Sequence, residues 1–254
     1  MALYTTEDRD RALLEAYFRK EGLTGEVLET AIHKAEKEMA EGKPLAYIME
    51  EAAFYDLLFF VNENVLIPRP DTERLVELAI QKIPRGGRFI DLGTGSGCIA
   101  LTVLKHRPDL TAVAVDLSPD ALRVAKVNAI LLDLTDRVRF VEGDMKSLWF
   151  EDGVFDTVIS NPPYIPCGDI PKYPTLSFEP RMALDGGEDG MDFYRAILSH
   201  YAHTLKKGGA FLFEIGFDQR EAITALAKER SMDCKVTKDY GGNDRVALIE
   251  QMTE

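Results

Sequence analysis

The chain has 254 residues, of which 46% are hydrophobic and 29% charged, a composition typical of a globular protein with ample core. Its formal net charge of −13 argues against a direct nucleic-acid partner, because gripping a phosphate backbone requires a basic face. No apolar run is long enough to span a bilayer, and the charged start MALYTTEDRDR lacks a signal-peptide core. We therefore expect a cytoplasmic protein without a membrane partner.

The cysteine and histidine residues give no indication of a disulfide or a metal site. Cys98, Cys167 and Cys234 are scattered without Cys-x-x-Cys spacing, which favours reduced thiols. His200 and His203 lie three residues apart on a predicted helix, but no third ligand stands near them. We expect no bound metal.

The first part of the chain predicts a small helical module. Apolar residues recur at helical spacing over 6–22 and again over 24–42. Thr24 is a candidate N-cap for the second helix, while Gly22 and Gly42 are placed to end the two helices.

A β-hairpin is predicted next, over residues 52–70. Two runs rich in Phe, Tyr, Val and Leu flank the turn-forming residues Asn62, Glu63 and Asn64. The chain is accordingly divided into three parts: a helical domain (1–49), a hairpin linker (50–68) and a larger domain (69–254).

From Arg88 onward, strand and helix patterns alternate. The predicted strands are 88–93, 111–116, 138–144, 155–160, 210–216, 234–239 and 245–251. The predicted helices of this part and the segment before it are 71–83, 98–107, 118–134, 190–209 and 218–230, with Ser118 as an N-cap and Pro119 at the first helical position. This alternation predicts an α/β fold with a doubly wound sheet that binds ligands at the carboxyl ends of its strands.

Three alternating glycines follow the strand that contains Asp91. Gly93, Gly95 and Gly97 form a turn before a helix, where the absence of side chains lets a ligand approach the backbone. The NAD fingerprint would require glycine where Cys98 stands. The spacing Asp-x-Gly-x-Gly-x-Gly instead resembles the first motif of class I S-adenosylmethionine-dependent methyltransferases. The resemblance implies a Rossmann-like fold with a seven-stranded, mostly parallel sheet.

Acidic residues end the next two predicted strands. Asp116 is positioned to accept hydrogen bonds from both ribose hydroxyls of a nucleoside cofactor. Its alternative role is charge compensation at the start of the following helix. By the same resemblance, Asp144 and Met145 hold the exocyclic amine and one face of the adenine.

The fourth strand of the alternating region ends in the sequence Asn161, Pro162, Pro163, Tyr164, a stiff non-helical loop. This strand neighbours the glycine turn in the implied fold. The Asn161 side-chain oxygen and the Pro162 carbonyl can accept two hydrogen bonds from one NH₂ group, while Tyr164 packs on a flat amide or base. Such a loop suits methylation of a planar, conjugated nitrogen by positioning and electrostatic pre-organisation, without a metal or a classical base.

The loop indicates the chemistry but leaves the substrate open, because enzymes that methylate adenine in DNA, guanine in RNA and glutamine in protein share it. Four segments are more specific: LAYIMEEAAFYDLLFFVNENVLIPRPDTERLVE, FIDLGTGSGCIA, ISNPPYIP and FEPRMALDGGEDGMDFYR. Together they resemble the peptide chain release factor glutamine methyltransferases, the HemK/PrmC family, from about Pro44 to the last strand.

This resemblance implies methyl transfer to the glutamine side-chain amide in the Gly-Gly-Gln loop of bacterial class 1 release factors. It implies S-adenosylmethionine as the cofactor, S-adenosylhomocysteine as the product, and docking of the factor by the N-terminal helical domain; we expect a monomer. The implied cofactor residues are Gly93, Thr94, Gly95, Ser96, Gly97, Asp116, Asp144, Met145 and Asn161. The implied catalytic residues are Asn161, Pro162 and Tyr164, and Pro163 joins them in binding the glutamine.

Two further segments match signatures of the family, and two positions depart from it. Arg69 and residues 179–181 lie in signature segments, where direct contact with substrate and simple loop packing by salt bridges are equal alternatives. Glu50 and Asp56 stand where the family pattern has glycines, in the connection before the hairpin.

Three rival functions remain at the level of sequence. A methyltransferase acting on a glutamine of a ribosomal protein would share every core motif. A nucleic-acid methyltransferase would require a basic recognition region, which the charge of −13 disfavours. A non-enzymatic cofactor- or partner-binding module would not require an intact Asn161.

Overall fold

The computed structural model describes residues 6–251, which contain a seven-stranded sheet and a separate hairpin. The strands are β1 Glu51–Phe54, β2 Leu57–Phe60, β3 Arg88–Leu92, β4 Thr111–Asp116, β5 Val138–Glu142, β6 Phe155–Ser160, β7 Leu205–Glu214, β8 Met232–Lys238 and β9 Asp244–Gln251. The large sheet has the order β5-β4-β3-β6-β7-β9-β8. Neighbouring strands are parallel, except that β9 runs antiparallel to both β7 and β8. The predicted doubly wound, mostly parallel sheet is confirmed.

Helices cover both faces of this sheet. The α-helices of residues 6–251 are α1 Thr6–Lys20, α2 Gly25–Ala40, α3 Leu45–Met49, α4 Glu73–Lys82, α5 Cys98–His106, α6 Pro119–Leu131, α7 Asp192–Tyr201 and α8 Arg220–Glu229. Apolar side chains of α4, α5 and α6 form one buried core with one face of the sheet, and those of α7 and α8 form a second core with the other face. In β3, Phe89 belongs to the first core while Ile90 and Leu92 belong to the second, as the alternation of side chains along a strand requires.

The position of β3 determines where a ligand can bind. It pairs with β4 on one side and with β6 on the other, so the chain order reverses there. Doubly wound sheets bind ligands outside the carboxyl ends of the strands at such a point. The turn after β3 and the loop after β6 meet at this edge.

Local sequence signals are confirmed closely in this part of the chain. Strands β4 and β6 have the predicted bounds. Helix α6 begins at Pro119, and the Ser118 hydroxyl accepts a hydrogen bond of 3.2 Å from the Ala121 amide. A proline at the first helical position and a serine cap explain why the helix starts where it does.

The N-terminal helices form a small core of their own, made of Leu14, Leu28, Ile32 and Ala35. Thr24 is the N-cap residue of α2, as predicted, although its side chain makes no capping hydrogen bond. Gly42 has φ of +97°, the left-handed conformation that ends a helix, as predicted. Residues 1–5 of the predicted helical domain and residues 252–254 of the predicted larger domain lie outside the described residues.

The hairpin turn differs from the prediction. Phe54 pairs with Leu57, so the chain reverses at Tyr55 and Asp56, and Asn62, Glu63 and Asn64 follow the second strand. Burial of aromatic side chains at Phe54 and Phe59 fixes this register, because a shift by one residue would expose them. The asparagines form a later turn in which the Asn62 side chain accepts a hydrogen bond from the Asn64 amide.

The predicted helix over 190–209 is too long. Helix α7 ends at Tyr201, a 3₁₀ turn covers Ala202–Thr204, and β7 already begins at Leu205. Pairing of Leu205 with Phe155 of β6 extends the strand through polar residues and glycines that carry no strand pattern. Sheet pairing therefore overrides the local signal here.

Among residues 6–251, no helix combines the length and the apolar character needed to cross a membrane. In the same part of the chain, no cluster of three or more His, Cys, Asp or Glu side chains is arranged to hold a metal ion.

Candidate active site

The glycine turn after β3 is open on the side that faces a cavity. Gly93 has φ of +73°, and a Cβ atom there would lie 2.9 Å from the terminal methyl group of Met145. Gly95 has φ of +54°, and a Cβ atom there would have no neighbour within 4 Å. The turn thus needs glycine for its left-handed backbone at both positions, and at Gly95 it leaves free space for a ligand.

Side chains beneath the turn hold its shape. The Thr94 hydroxyl donates a hydrogen bond of 2.6 Å to the Asp91 carboxyl, and both residues are buried. Burial raises the pKa of Asp91 to about 7. The Ser96 side chain is also buried, and Gly97 lies against Leu101 at the start of α5. Thr94 and Ser96, both predicted cofactor residues, thus have buried side chains beneath the turn.

Asp116, at the end of β4, connects the turn to the next loop. Its Oδ2 atom accepts a hydrogen bond of 2.8 Å from the Gly95 amide, and Oδ1 accepts one of 2.9 Å from the Ser118 amide. Burial raises the pKa of this carboxyl, although the backbone donors oppose the rise. The Asp116 carboxylate supports the start of α6, the alternative considered for it, and it also lines the cavity.

This first cavity has a volume of about 250 Å³ and gathers most of the predicted site residues. Its predicted members are Gly93, Gly95, Asp116, Asp144, Met145, Asn161 and Pro163. They come from the ends of β3, β4, β5 and β6, which are adjacent in the sheet. The lining also includes Lys146 and Phe193, whose ammonium and ring centroid lie 4.3 Å apart in a cation–π contact.

The loop after β6 is held by side chains from distant parts of the chain. The Asn161 amide nitrogen donates to the Thr72 hydroxyl at 3.4 Å, and the Tyr164 hydroxyl donates to the Glu214 carboxyl at 3.2 Å. The Gln219 amide donates to the Tyr164 carbonyl at 3.0 Å. Pro162 and Pro163 are buried, so the loop has little freedom to move.

A second cavity, of about 90 Å³, adjoins this loop. Asn161 lines both cavities and so lies where they meet. Tyr164, Arg69 and Glu214 line only the second. Burial raises the pKa of Glu214 to about 6, while the hydroxyls of Thr72 and Tyr164 and the charge of Arg245 oppose the rise.

Sequence analysis missed Thr72 and Glu214 as parts of this site. Glu214 ends β7, the strand next to β6, so a carboxylate at the ligand-binding edge of the sheet was the available signal. Thr72 gives a weaker signal, because it lies in a 3₁₀ turn, Pro70–Thr72, far from Asn161 in sequence. Only the fold brings the two together.

Comparisons with known proteins agree with this geometry. Residues 71–169 match the family described as "Methyltransferase small domain". The release factor glutamine methyltransferase of Clostridium acetobutylicum is 44% identical over 211 residues, which are 81% of this chain and 74% of that protein. The protein of the same name from Koribacter versatilis is 37% identical and covers 96% of this chain and 87% of its own length. The chain belongs to the release factor glutamine methyltransferase family.

A solved structure supports the fold of this family member. The catalytic domain of hMettl16, solved in complex with a MAT2A 3′UTR hairpin, superposes with a TM-score of 0.64 over 76% of this chain and 75% of its own. Its sequence is only 16% identical, so the likeness bears on the architecture alone. The class I, Rossmann-like methyltransferase fold expected from the glycine spacing is confirmed.

The methyl donor that this family and fold imply is S-adenosylmethionine, and the residues of the first cavity fit it. The free space above Gly95 admits a ligand against the backbone. Asp116 and Asp144 supply carboxylates for hydroxyl and amine donors, and Met145 with Phe193 supplies apolar surface for a base. The residues that line the first cavity therefore suit a nucleoside ligand.

Arg69 and Glu179 take part in one ion pair behind the second cavity. The Arg69 guanidinium contacts the buried Glu179 carboxylate, which also accepts a hydrogen bond of 3.1 Å from the Ile67 amide. Arg181 pairs instead with Asp185 at 3.4 Å on the surface. Salt bridging thus explains Glu179 and Arg181, while Arg69 both bridges and lines the cavity.

The two departures from the family pattern have different structural consequences. Glu50 has φ of +51°, so this family member keeps at that position the left-handed backbone that glycine adopts most easily. Asp56 lies in the hairpin turn, and its carboxylate contacts the His106 ring at 2.8 Å. Neither residue lines either cavity.

Proposed function

We propose that this protein transfers the methyl group of S-adenosylmethionine to the side-chain amide nitrogen of the glutamine in the Gly-Gly-Gln loop of bacterial class 1 peptide chain release factors, leaving S-adenosylhomocysteine. The observation that carries the proposal is the position of Asn161 where a cavity suited to the donor meets a smaller cavity that includes Tyr164 and Glu214. The substrate is supported by the relatives named release factor glutamine methyltransferases, which are 44% and 37% identical to this chain.

Residues of the first cavity bind the donor in this proposal. The backbone at 93–97, including the amides of Thr94 and Ser96, approaches the amino-acid part. Asp116 accepts hydrogen bonds from the ribose, and Asp144 and Met145 hold the adenine. The assignments of Gly93, Gly95, Asp116, Asp144 and Met145 are supported by their place at strand ends around one cavity. Those of Thr94, Ser96 and Gly97 rest on the family resemblance.

The bound donor supplies an electrophilic methyl group on a sulfonium centre. The Asn161 side-chain oxygen and the Pro162 carbonyl accept the two hydrogens of the glutamine NH₂ group, which aims its nitrogen at the first cavity. The Tyr164 ring packs on the flat amide, and Pro163 walls the passage. Fixed acceptors cost no reorganisation during the reaction, so the catalytic effect is pre-organisation.

The site favours a protein side chain over a nucleobase. The second cavity is small and is lined by Tyr164 and Glu214, and a buried carboxylate is a poor neighbour for a phosphate backbone. The net charge of −13 opposes nucleic-acid binding at low salt.

A second surface helps to hold the factor in this proposal. The helices α1, α2 and α3 form a substrate-docking domain, residues 1–49, joined by the hairpin linker, residues 50–68, to the methyltransferase domain, residues 69–254. The separate small core of these helices supports the division. Contact at two places raises the effective concentration of the loop at the site. A monomer is sufficient for this arrangement, and the cytoplasm is where such a translation factor is available.

The test is incubation of the full chain with S-adenosylmethionine labelled in its methyl group and a class 1 release factor, followed by mass spectrometry of the peptides. We expect one label on the loop glutamine. The matched control is the same factor with alanine in place of that glutamine, which should take no label.

The rival functions predict other results. Label on a ribosomal protein glutamine and none on the factor would identify the related ribosomal substrate. Label on DNA or RNA would identify a nucleic-acid enzyme. Donor binding without transfer to any of these would indicate a non-enzymatic module.

A further inference from the structure

The orientation of the Asn161 amide is set by a residue outside the loop. Its Nδ2 atom donates to the Thr72 hydroxyl oxygen at 3.4 Å. Thr72 is 2% exposed, so its hydroxyl is shielded from bulk water. When the amide nitrogen of an asparagine donates a hydrogen bond to one partner, its amide oxygen points to the other side.

This orientation matters for the proposed reaction. With Nδ2 toward Thr72, Oδ1 is the atom free to accept a hydrogen bond from a substrate NH₂ group. The flipped amide would set its own NH₂ group against that of the substrate, and two donors would face each other. A threonine hydroxyl can accept from Asn161 while its own proton points elsewhere.

Glu214 lies beside Thr72. Burial raises the pKa of the Glu214 carboxyl and the Thr72 hydroxyl opposes that rise, while Oε2 has no hydrogen-bond partner among residues 6–251. The other oxygen, Oε1, accepts from the Tyr164 hydroxyl at 3.2 Å. The carboxyl therefore holds Tyr164, the last residue of the loop, directly.

The surroundings keep this carboxyl in place. The Tyr194 hydroxyl donates to the backbone carbonyl of Glu214 at 2.8 Å. The Arg245 guanidinium, which also contacts Asp239 and Asp71, contributes positive charge nearby. The Tyr194 hydroxyl thus holds the Glu214 backbone, and the Arg245 charge stabilises the Glu214 carboxylate.

We propose that Thr72 is a positioning residue that holds the Asn161 amide with Oδ1 toward the methyl-accepting nitrogen, while Glu214 holds Tyr164 of the same loop. The inference rests on the proposed function, since it concerns the same amide site. Neither residue needs to touch the donor, so loss of either should reduce turnover and leave donor binding intact.

The test compares Thr72→Val with Thr72→Ser. Valine keeps the shape of threonine and removes the acceptor, whereas serine keeps the hydroxyl. Thr72→Val should lower kcat on the release factor by roughly tenfold or more, by analogy with loss of a pre-organised polar contact, with KM and donor affinity within about twofold. Thr72→Ser should recover most of the lost kcat. Thr102→Val is the matched control, because Thr102 is fully buried in α5 and its hydroxyl has no partner among residues 6–251.

A spectroscopic arm separates this inference from the proposed function. The Asn161 side-chain NH₂ signals, assigned by their absence in Asn161→Asp, should exchange slowly with solvent in the wild type and shift in Thr72→Val. Wild-type protein that shows these signals but methylates no factor would overturn the proposed function alone. Full kcat in Thr72→Val, or a Thr72→Ser variant as slow as Thr72→Val, would overturn the positioning role. Unchanged NH₂ signals in Thr72→Val would overturn it as well, whatever the activity.

Discussion

The turn at 93–97 and the loop at 161–164 follow neighbouring strands, yet they are held in shape by different means. Backbone hydrogen bonds to the adjacent strand β4 hold the turn. The Gly93 and Thr94 amides both donate to the Val115 carbonyl, at 2.9 Å. Side chains that are distant in the sequence hold the loop: Thr72 before α4, and Glu214 at the end of the adjacent strand β7.

The difference separates two tasks. A turn without side chains offers backbone and space, which suits binding of a ligand that the protein must approach closely. A loop with fixed side-chain acceptors suits orientation of a reacting group. Changes in the turn should therefore act on donor affinity, and changes in the loop or its supports should act on turnover.

The largest effect on donor affinity is expected from a substitution at Gly95 in the turn. A leucine there must adopt φ of +54° and fills the space above the turn, so donor affinity should fall by more than about a hundredfold. Calorimetry with S-adenosylhomocysteine measures the change. Gly153→Leu is the control, because Gly153 also has a positive φ and open space but does not line the first cavity. Unchanged affinity in a folded Gly95→Leu protein would contradict the assignment of the turn.

The next effect concerns the loop. Asn161→Ala removes one of two acceptors for the substrate NH₂ group, so kcat should fall by about a hundredfold while donor affinity changes only slightly. Single-turnover kinetics on a release factor, with thermal unfolding as a check of folding, measure this. A wild-type rate, or a loss that lies entirely in donor binding, would remove the distinction between turn and loop.

The smallest of these effects on donor binding or turnover is expected at Asp116. Asp116 lines the cavity and also supports the Gly95 amide, so Asp116→Ala should weaken donor binding by roughly tenfold to a hundredfold, the equivalent of about 1.5–3 kcal/mol. Asp109→Ala is a matched control, since Asp109 likewise accepts a hydrogen bond from a glycine amide, Gly86 at 2.8 Å, outside the cavity. A change below twofold for Asp116→Ala would assign the ribose to another residue.

Sequence alone determined those parts of the protein that depend on neighbouring residues. Buried strands such as β4 and β6, the cap at Ser118 and the glycines with positive φ were all predictable, because propensity and capping are local. The order of motifs along a doubly wound fold also predicted which strand ends would meet, and the family resemblance extended this to the chemistry.

Tertiary structure decided what depends on contacts between distant residues. It moved the hairpin turn to Tyr55 and Asp56, since burial of Phe54 and Phe59 outweighs the turn preference of the later asparagines. It started β7 at Leu205, since that residue pairs with Phe155 of β6 before an irregularity in the register that ends at Ala210. It also placed Thr72 and Glu214 behind the reactive loop, 89 residues before Asn161 and 50 after Tyr164. No local preference encodes such pairs, because their stabilising energy arises only when the sheet and helices pack and exclude water around them.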